Sequence, residues 1–167
     1  MAVKDILIYP NPLLKQEAEE VTTITEEVKQ VITDLKDTML ASTHSTGIAA
    51  PQIGALFRIV VFDASRNKKC LNNNGLTVMI NPEIISHDGM LTFREGCMSV
   101  PDFTGNVNRA QKITVRFFDE EMSPQTLDAQ DFEAVLIQHE TDHLDGTLFI
   151  DRVISKRTDL FKRKQYK

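Results

Sequence analysis

The pair His139 and His143, with Glu140 directly after the first, forms a His-Glu-x-x-His pattern and constrains this chain more than any other feature. Residues four apart on an α-helix are vertical neighbours with Cβ atoms about 5–6 Å apart, so two such imidazoles can converge on one cation. Glu140 lies one position on, about 100° further round the helix, which suits it to act as general base on water held there. Phe132, Val135, Leu136, His139 and His143 follow the spacing i, i+3, i+4, i+7, i+11 and share one stripe, so both imidazoles face inward with the apolar residues. Chance alone would place such a pattern in about one chain in a few hundred, and chance gives no reason for both rings to fall on the apolar stripe. Asp131 is the expected N-cap and Gly146 the expected stop.

A chain of 167 residues, 41% apolar, suits one domain, residues 1–167, with its own core. The net charge of −5 leaves no electrostatic footprint for nucleic acid, and the locally basic end from Lys156 to Lys167 reads as a solvated tail. No secretory signal is evident after Met1, and no apolar run approaches the roughly 18 residues of a membrane span. Cys70 and Cys97 do not make a disulfide framework, so a reducing cytoplasm is expected.

Ile6 to Tyr9 reads as a short strand or extended arm closed by the turn signal Pro10-Asn11-Pro12. Thr23 and Glu26 have capping-box spacing, and Val28, Val31, Ile32, Leu35, Met39 and Leu40 mark the core face of a helix from about Glu26 to Ala41. The run Thr46 to Gly54 has little side-chain bulk apart from the amide of Gln52, which permits close backbone approach. Arg58 to Phe62 reads as a buried strand, Asn67 to Gly75 as an exposed loop carrying Cys70, and Leu76 to Ile80 as a strand ending at Asn81-Pro82. Ile113, Val115 and Phe117 alternate with polar residues between Lys112 and Asp119, as in a half-buried antiparallel strand. Short strands in the middle with helices at either end indicate an α+β fold.

A catalytic site of this kind needs a third protein ligand and one open position. Downstream of His143 the candidates are Asp145, Asp151 and Asp159, with no histidine or glutamate there to complete the zinc-endopeptidase patterns. Upstream, Cys97 sits in Glu95-Gly96-Cys97-Met98-Ser99-Val100-Pro101. A buried cysteine is ordinarily structural, but a thiolate is also a strong ligand for iron or zinc.

Three segments, Gly47-Ile48-Ala49-Ala50-Pro51-Gln52, Glu95 to Ser99 and Gln138 to Leu144, together resemble the signature motifs of the bacterial peptide deformylases in their order and separation. The resemblance covers the chain from the Pro10 region to about Asp151. It implies a compact α+β fold in which antiparallel strands enclose the His-Glu-x-x-His helix, with a second helix near the N-terminus. The activity implied is hydrolytic removal of formate from N-formylmethionyl nascent polypeptides. By the same resemblance Cys97, His139 and His143 hold one divalent ion, Fe2+ in the natural form with Zn2+, Ni2+ or Co2+ able to substitute. Glu140 is then the general base, and the Gln52 amide and the Met98 backbone N–H stabilise the oxyanion. Gly47 and Gly96 pair with the extended peptide, Phe132, Val135 and Leu136 wall the methionine pocket, and Arg109 lies near the substrate. Asp142 and Glu95 are candidates to orient a histidine or an arginine. A monomer that meets its substrate at the ribosome, without membrane or specific nucleic acid, completes the expectation.

Two residues depart from the family pattern. Ser45 stands where the first motif has glycine, and Met98 where leucine is usual, although the role expected of Met98 belongs to its main chain. Since the sequence runs only a few residues past Phe161, the long final helix of many members is expected to be truncated or missing. The rival activity is a zinc endopeptidase, which shares the motif but takes its third ligand downstream; a metal-stabilised binding module with no activity is the other alternative.

Overall fold

The structure is a computed structural model that describes residues 3–163. Helix α1 (Glu26–Ala41) forms where the periodicity predicts, and Val28, Val31, Ile32, Leu35 and Met39 are buried along its inner face. Leu40, expected on that face, is 53% exposed because it lies a further 100° round the helix from Met39. Thr25 caps the helix in place of the expected Thr23–Glu26 box, its Oγ1 accepting from Val28 N at 3.1 Å.

Among the described residues eight strands follow: β1 (Gly47–Ala49), β2 (Ile59–Asp63), β3 (Leu76–Asp88), β4 (Leu91–Cys97), β5 (Val100–Arg109), β6 (Lys112–Phe118), β7 (Pro124–Gln130) and β8 (Leu160–Lys162). They form two antiparallel sheets, β1-β2-β3-β6-β7 and β4-β5-β8, which accords with the α+β expectation. Strand β3 passes through Asn81-Pro82 instead of stopping there. Asn81 takes φ +52° at a register shift, and its side-chain amide bonds both Val21 N and Val21 O, so the proline becomes a bulge in a longer strand. The stretch Ile6 to Tyr9 is an arm outside both sheets, held by Leu7 N to Gln52 O at 2.8 Å and Tyr9 N to Ser99 O at 2.7 Å.

Helix α2 (Asp131–Leu144) carries the His-Glu-x-x-His residues. Its Ala134, Leu136, Ile137 and Leu144 pack with Ala49, Val60, Phe62 and Met79 of the larger sheet. Phe149, on the short helix α3 (Phe149–Arg152), stacks on His139 with ring centroids 6.3 Å apart, and packs with Cys97 and Val107 of the smaller sheet. The functional helix is thereby wedged between the two sheets. Its cap residue is Gln130, without a side-chain cap bond; Asp131, expected there, is the first helical residue at φ +54° and is tied to Gln111 through its backbone N–H. Gly146 ends the segment at φ +72°, where a Cβ would also collide with the Lys15 backbone.

The basic end is not a free tail as far as Lys162. Residues 160–162 form β8, which pairs with Phe103 to Gly105 of β5. Positions 164–167 of that end lie outside the described residues.

Candidate active site

Strand β4 delivers Cys97 and helix α2 delivers the two histidines. Between Gly96 and Cys97 the register on β5 jumps from Thr104 to Val100, and this irregularity turns Cys97 toward the helix. The Sγ of Cys97 lies 3.4 Å from His143 Nε2, and one donor atom from each of Cys97, His139 and His143 falls within 4.8 Å of the others. All three residues are buried. The downstream alternatives are committed elsewhere: Asp145 pairs with Arg58, Asp151 with Lys15, and Asp159 accepts from Asn106.

One thiolate and two imidazoles are the donor set of a divalent iron or zinc site. His139 has the geometry such a ligand needs, because its Nδ1 meets Glu95 Oε1 at 2.8 Å and leaves Nε2 for an ion. Glu140 Oε1 is buried without a hydrogen-bond partner among the described residues, 4.0 Å from His143 Nε2, and can accept from a water beside an ion. The residues present therefore fit a divalent cation.

Behind His139 runs a chain of charges. Arg109 donates to both oxygens of Glu95, at 2.8 and 2.9 Å, and to Asp142 Oδ2 at 2.6 Å. Arg152 closes the other side of Asp142 with bonds of 2.6 and 3.0 Å. Burial pushes the Glu95 carboxyl up, but Arg109 and His139 outweigh it and hold the group down at about 2. Burial, helped by the Glu95 charge, outweighs His139 and Arg109 and pushes the Glu140 carboxyl up, to about 7; a dication alongside would pull it down again. The two rings, with centroids 5.2 Å apart, divide. Burial lowers both, yet hydrogen bonds to Cys97 and Glu95 carry His139 well above its ordinary value, while burial and the neighbouring His139 charge push His143 well below.

A cavity of about 420 Å³ opens onto this centre. Phe132, Val135 and Leu136 line it beside His139 and Glu140, as do Gly47, Gly96, Met98 and Gln52. The amide of Gln52 is fixed at both ends. Its Oε1 accepts from Ala49 N at 2.9 Å, and its Nε2 points to Ser99 Oγ at 3.0 Å and Cys97 Sγ at 3.5 Å. Gly47 is small for a reason the sequence did not disclose: a Cβ there would stand 2.7 Å from Glu140 Oε2 and 2.9 Å from Leu136 Cδ1. Ser45 is buried, its Oγ donating to Gly47 O at 3.2 Å and its carbonyl accepting from Arg66. That position is accordingly tied down.

Arg109, expected near the substrate, is 5% exposed, does not line the cavity and stands behind His139, which it reaches through Glu95. Ser99, Arg152 and Phe149 went unrecognised as parts of the site. Ser99 lies within the Glu95–Pro101 run and carried a signal, whereas nothing in the local pattern around Arg152 or Phe149 points to the histidines. Arg94 and Arg163 at the cavity mouth were likewise missed.

The sequence model of the family described as polypeptide deformylase matches residues 3–159. A peptide deformylase of Endomicrobium trichonymphae is 42% identical over 98% of this chain and 94% of its own length, and one of Syntrophobacter fumaroxidans 39% identical over the same shares. Among solved structures, the peptide deformylase of Legionella pneumophila superposes with a TM-score of 0.84 at 38% identity, covering 93% of this chain and 88% of that one.

Proposed function

The chain belongs to the polypeptide deformylase family and removes the formyl group from N-formylmethionyl peptides, and we propose that Cys97, His139 and His143 hold the divalent ion this family requires while Glu140 moves the proton. The observation that carries the assignment of residues is the meeting of three ligand atoms within 4.8 Å beside the buried carboxylate of Glu140.

Held by Cys97, His139 and His143, a divalent ion would supply Lewis acidity, lowering the pKa of water and polarising the formyl carbonyl. Glu140 accepts a proton from the attacking water through its unpartnered Oε1. A C–O bond then forms at the formyl carbon, and negative charge gathers on the formyl oxygen. Gln52 Nε2 and the Met98 backbone N–H are the donors for that charge, and the Gln52 amide is already aimed because Ala49 N holds its other end. When the C–N bond breaks, Glu140 delivers its proton to the departing amine, and formate and the free methionyl amine leave.

An extended peptide fits between the free edges of β1 and β4. Each strand is paired on one side only, and Gly47 and Gly96 bring their backbones to the cavity. Strand addition of this kind satisfies the edge groups and orients the substrate. Phe132, Val135 and Leu136 then surround the methionine side chain. Arg109 contributes by holding Glu95 and through it His139, a positioning role.

Ferrous ion is our choice of metal, with zinc, nickel and cobalt able to replace it, since a mixed thiolate and imidazole set suits each of these. The reading takes the protein as one cytoplasmic domain acting as a monomer on chains emerging from the ribosome. In support of a reducing compartment, Cys70 and Cys97 are both free thiols. Anaerobic assay of formate release from a formyl-Met tripeptide, with ferrous ion, tests it. Wild type is expected to turn over, and Glu140→Ala to retain its metal while losing about 10²–10⁴-fold in rate; metal-loaded wild type that releases no formate would refute the reading.

A further inference from the structure

We propose that the N-terminal arm, through the main-chain N–H groups of Leu7 and Tyr9, is a strap that sets the spacing of the two oxyanion donors, Gln52 and the Met98 N–H, and so raises kcat without lining the cavity. The inference rests on the deformylase reading and adds positioning residues to it.

The two donors come from different sheets. Gln52 sits in the one-turn helix Ala50–Ile53, which directly follows edge strand β1 of the larger sheet. Met98 sits in the tight turn that joins β4 to β5 in the smaller one. Among the described residues no backbone ladder joins the two sheets, so neither sheet by itself fixes how far apart the donors stand. That distance matters, because a misplacement of about 1 Å in a catalytic constellation can cost about a hundredfold in rate.

The arm crosses this gap. Its Leu7 N–H donates to Gln52 O at 2.8 Å, and two residues on its Tyr9 N–H donates to the carbonyl of Ser99, the neighbour of Met98, at 2.7 Å. One short segment thus binds the main chain of both donor turns. Its side chains divide between the same two bodies: Ile6 and Met98 pack against the cluster of Ile48, Ala50 and Ile59, whereas Leu7 packs against that of Cys97 and Val100. Both ends of the arm are held. The Lys4 N–H donates to Thr38 Oγ1 of α1 at 2.9 Å, and beyond the turn at Asn11 the side chain of Leu14 is buried in the Cys97 cluster. Ala49 and Ser99 aim the Gln52 amide, and the arm holds the backbone from which it is aimed.

Exchanging single amides of the arm for esters, with α-hydroxy acids at Leu7 or Tyr9 in the full-length iron-loaded enzyme, removes one N–H donor and keeps every side chain. We expect each ester to lower kcat on a formyl-Met tripeptide about three- to tenfold, the worth of one hydrogen bond, with KM and metal content little changed. The same exchange at Ile8, which is 47% exposed and whose N–H has no part in the strap, should leave kcat unchanged. A double-mutant cycle distinguishes positioning from stability. Gln52→Ala should itself lose about 10²-fold in kcat, and in that background the Leu7 ester should cost little more. Esters at Leu7 and Tyr9 that lower the melting temperature but not kcat, or a Leu7 ester whose cost is undiminished in Gln52→Ala, would overturn the strap while leaving the reaction standing. No formate from the wild type would overturn the reaction and the strap together.

Discussion

Gly47 shows how closely this site is built at the scale of single residues. Its backbone borders the substrate cavity on one side, and on the other its missing side chain admits Glu140. Gly47→Ala would put a methyl group 2.7 Å from Glu140 Oε2 and 2.9 Å from Leu136. We expect about 1–3 kcal/mol of destabilisation from overpacking together with a fall in kcat as Glu140 shifts; an unchanged melting temperature and unchanged kcat would show that Glu140 has room to spare. The histidines and Glu140 were legible in the sequence because their chemistry and their period agree. The Gln52 amide was legible as an anomaly among small residues, whereas its anchor Ser99 and the arginines behind and around the site were not. Arg109 was expected near the substrate, and no sequence pattern reveals that its guanidinium bonds Glu95 and Asp142.

Among elements, α1 and α2 were readable from apolar spacing, and their bounds follow it closely. The hairpin of β4 and β5, which supplies Cys97, was not. Its inward positions include Glu95 and Arg109, a buried ion pair, so the apolar-polar alternation that announces a strand is broken where the site needs charge. Strand β8 was hidden for a related reason, since a three-residue strand inside a basic segment has too few apolar positions to show a period. The stability of α2 nevertheless rests on ordinary packing. Ile137 is fully buried against the larger sheet, and Ile137→Ala is expected to cost about 2–5 kcal/mol in chemical denaturation. A loss below about 1 kcal/mol would mean that the helix is held by its charged contacts instead.

On the scale of the whole molecule, two sheets meet around one helix, and the contacts joining the N-terminal third to α3 make that arrangement sensitive to acid. Burial pushes the Asp151 carboxyl up, but the Lys15 ammonium and the Leu148 N–H outweigh it and hold the group below its ordinary value. A carboxyl depressed in the folded state adds stability above its unfolded value, near 3.9, and loses it as pH falls through the lower folded value. Wild type should therefore lose stability relative to Asp151→Asn as pH drops below about 4, and parallel melting curves for the two proteins across that range would contradict this. No helix among the described residues is long and apolar enough to cross a membrane.

The convergence of Cys97 with both histidines on one ion is open to direct measurement by X-ray absorption at the metal edge of the iron- or zinc-loaded protein. The expected spectrum contains one sulfur scatterer near 2.3 Å and two imidazole nitrogens near 2.0–2.1 Å, with the sulfur contribution lost in Cys97→Ala. A coordination sphere without sulfur in the wild type, or one unchanged by Cys97→Ala, would contradict the site as described.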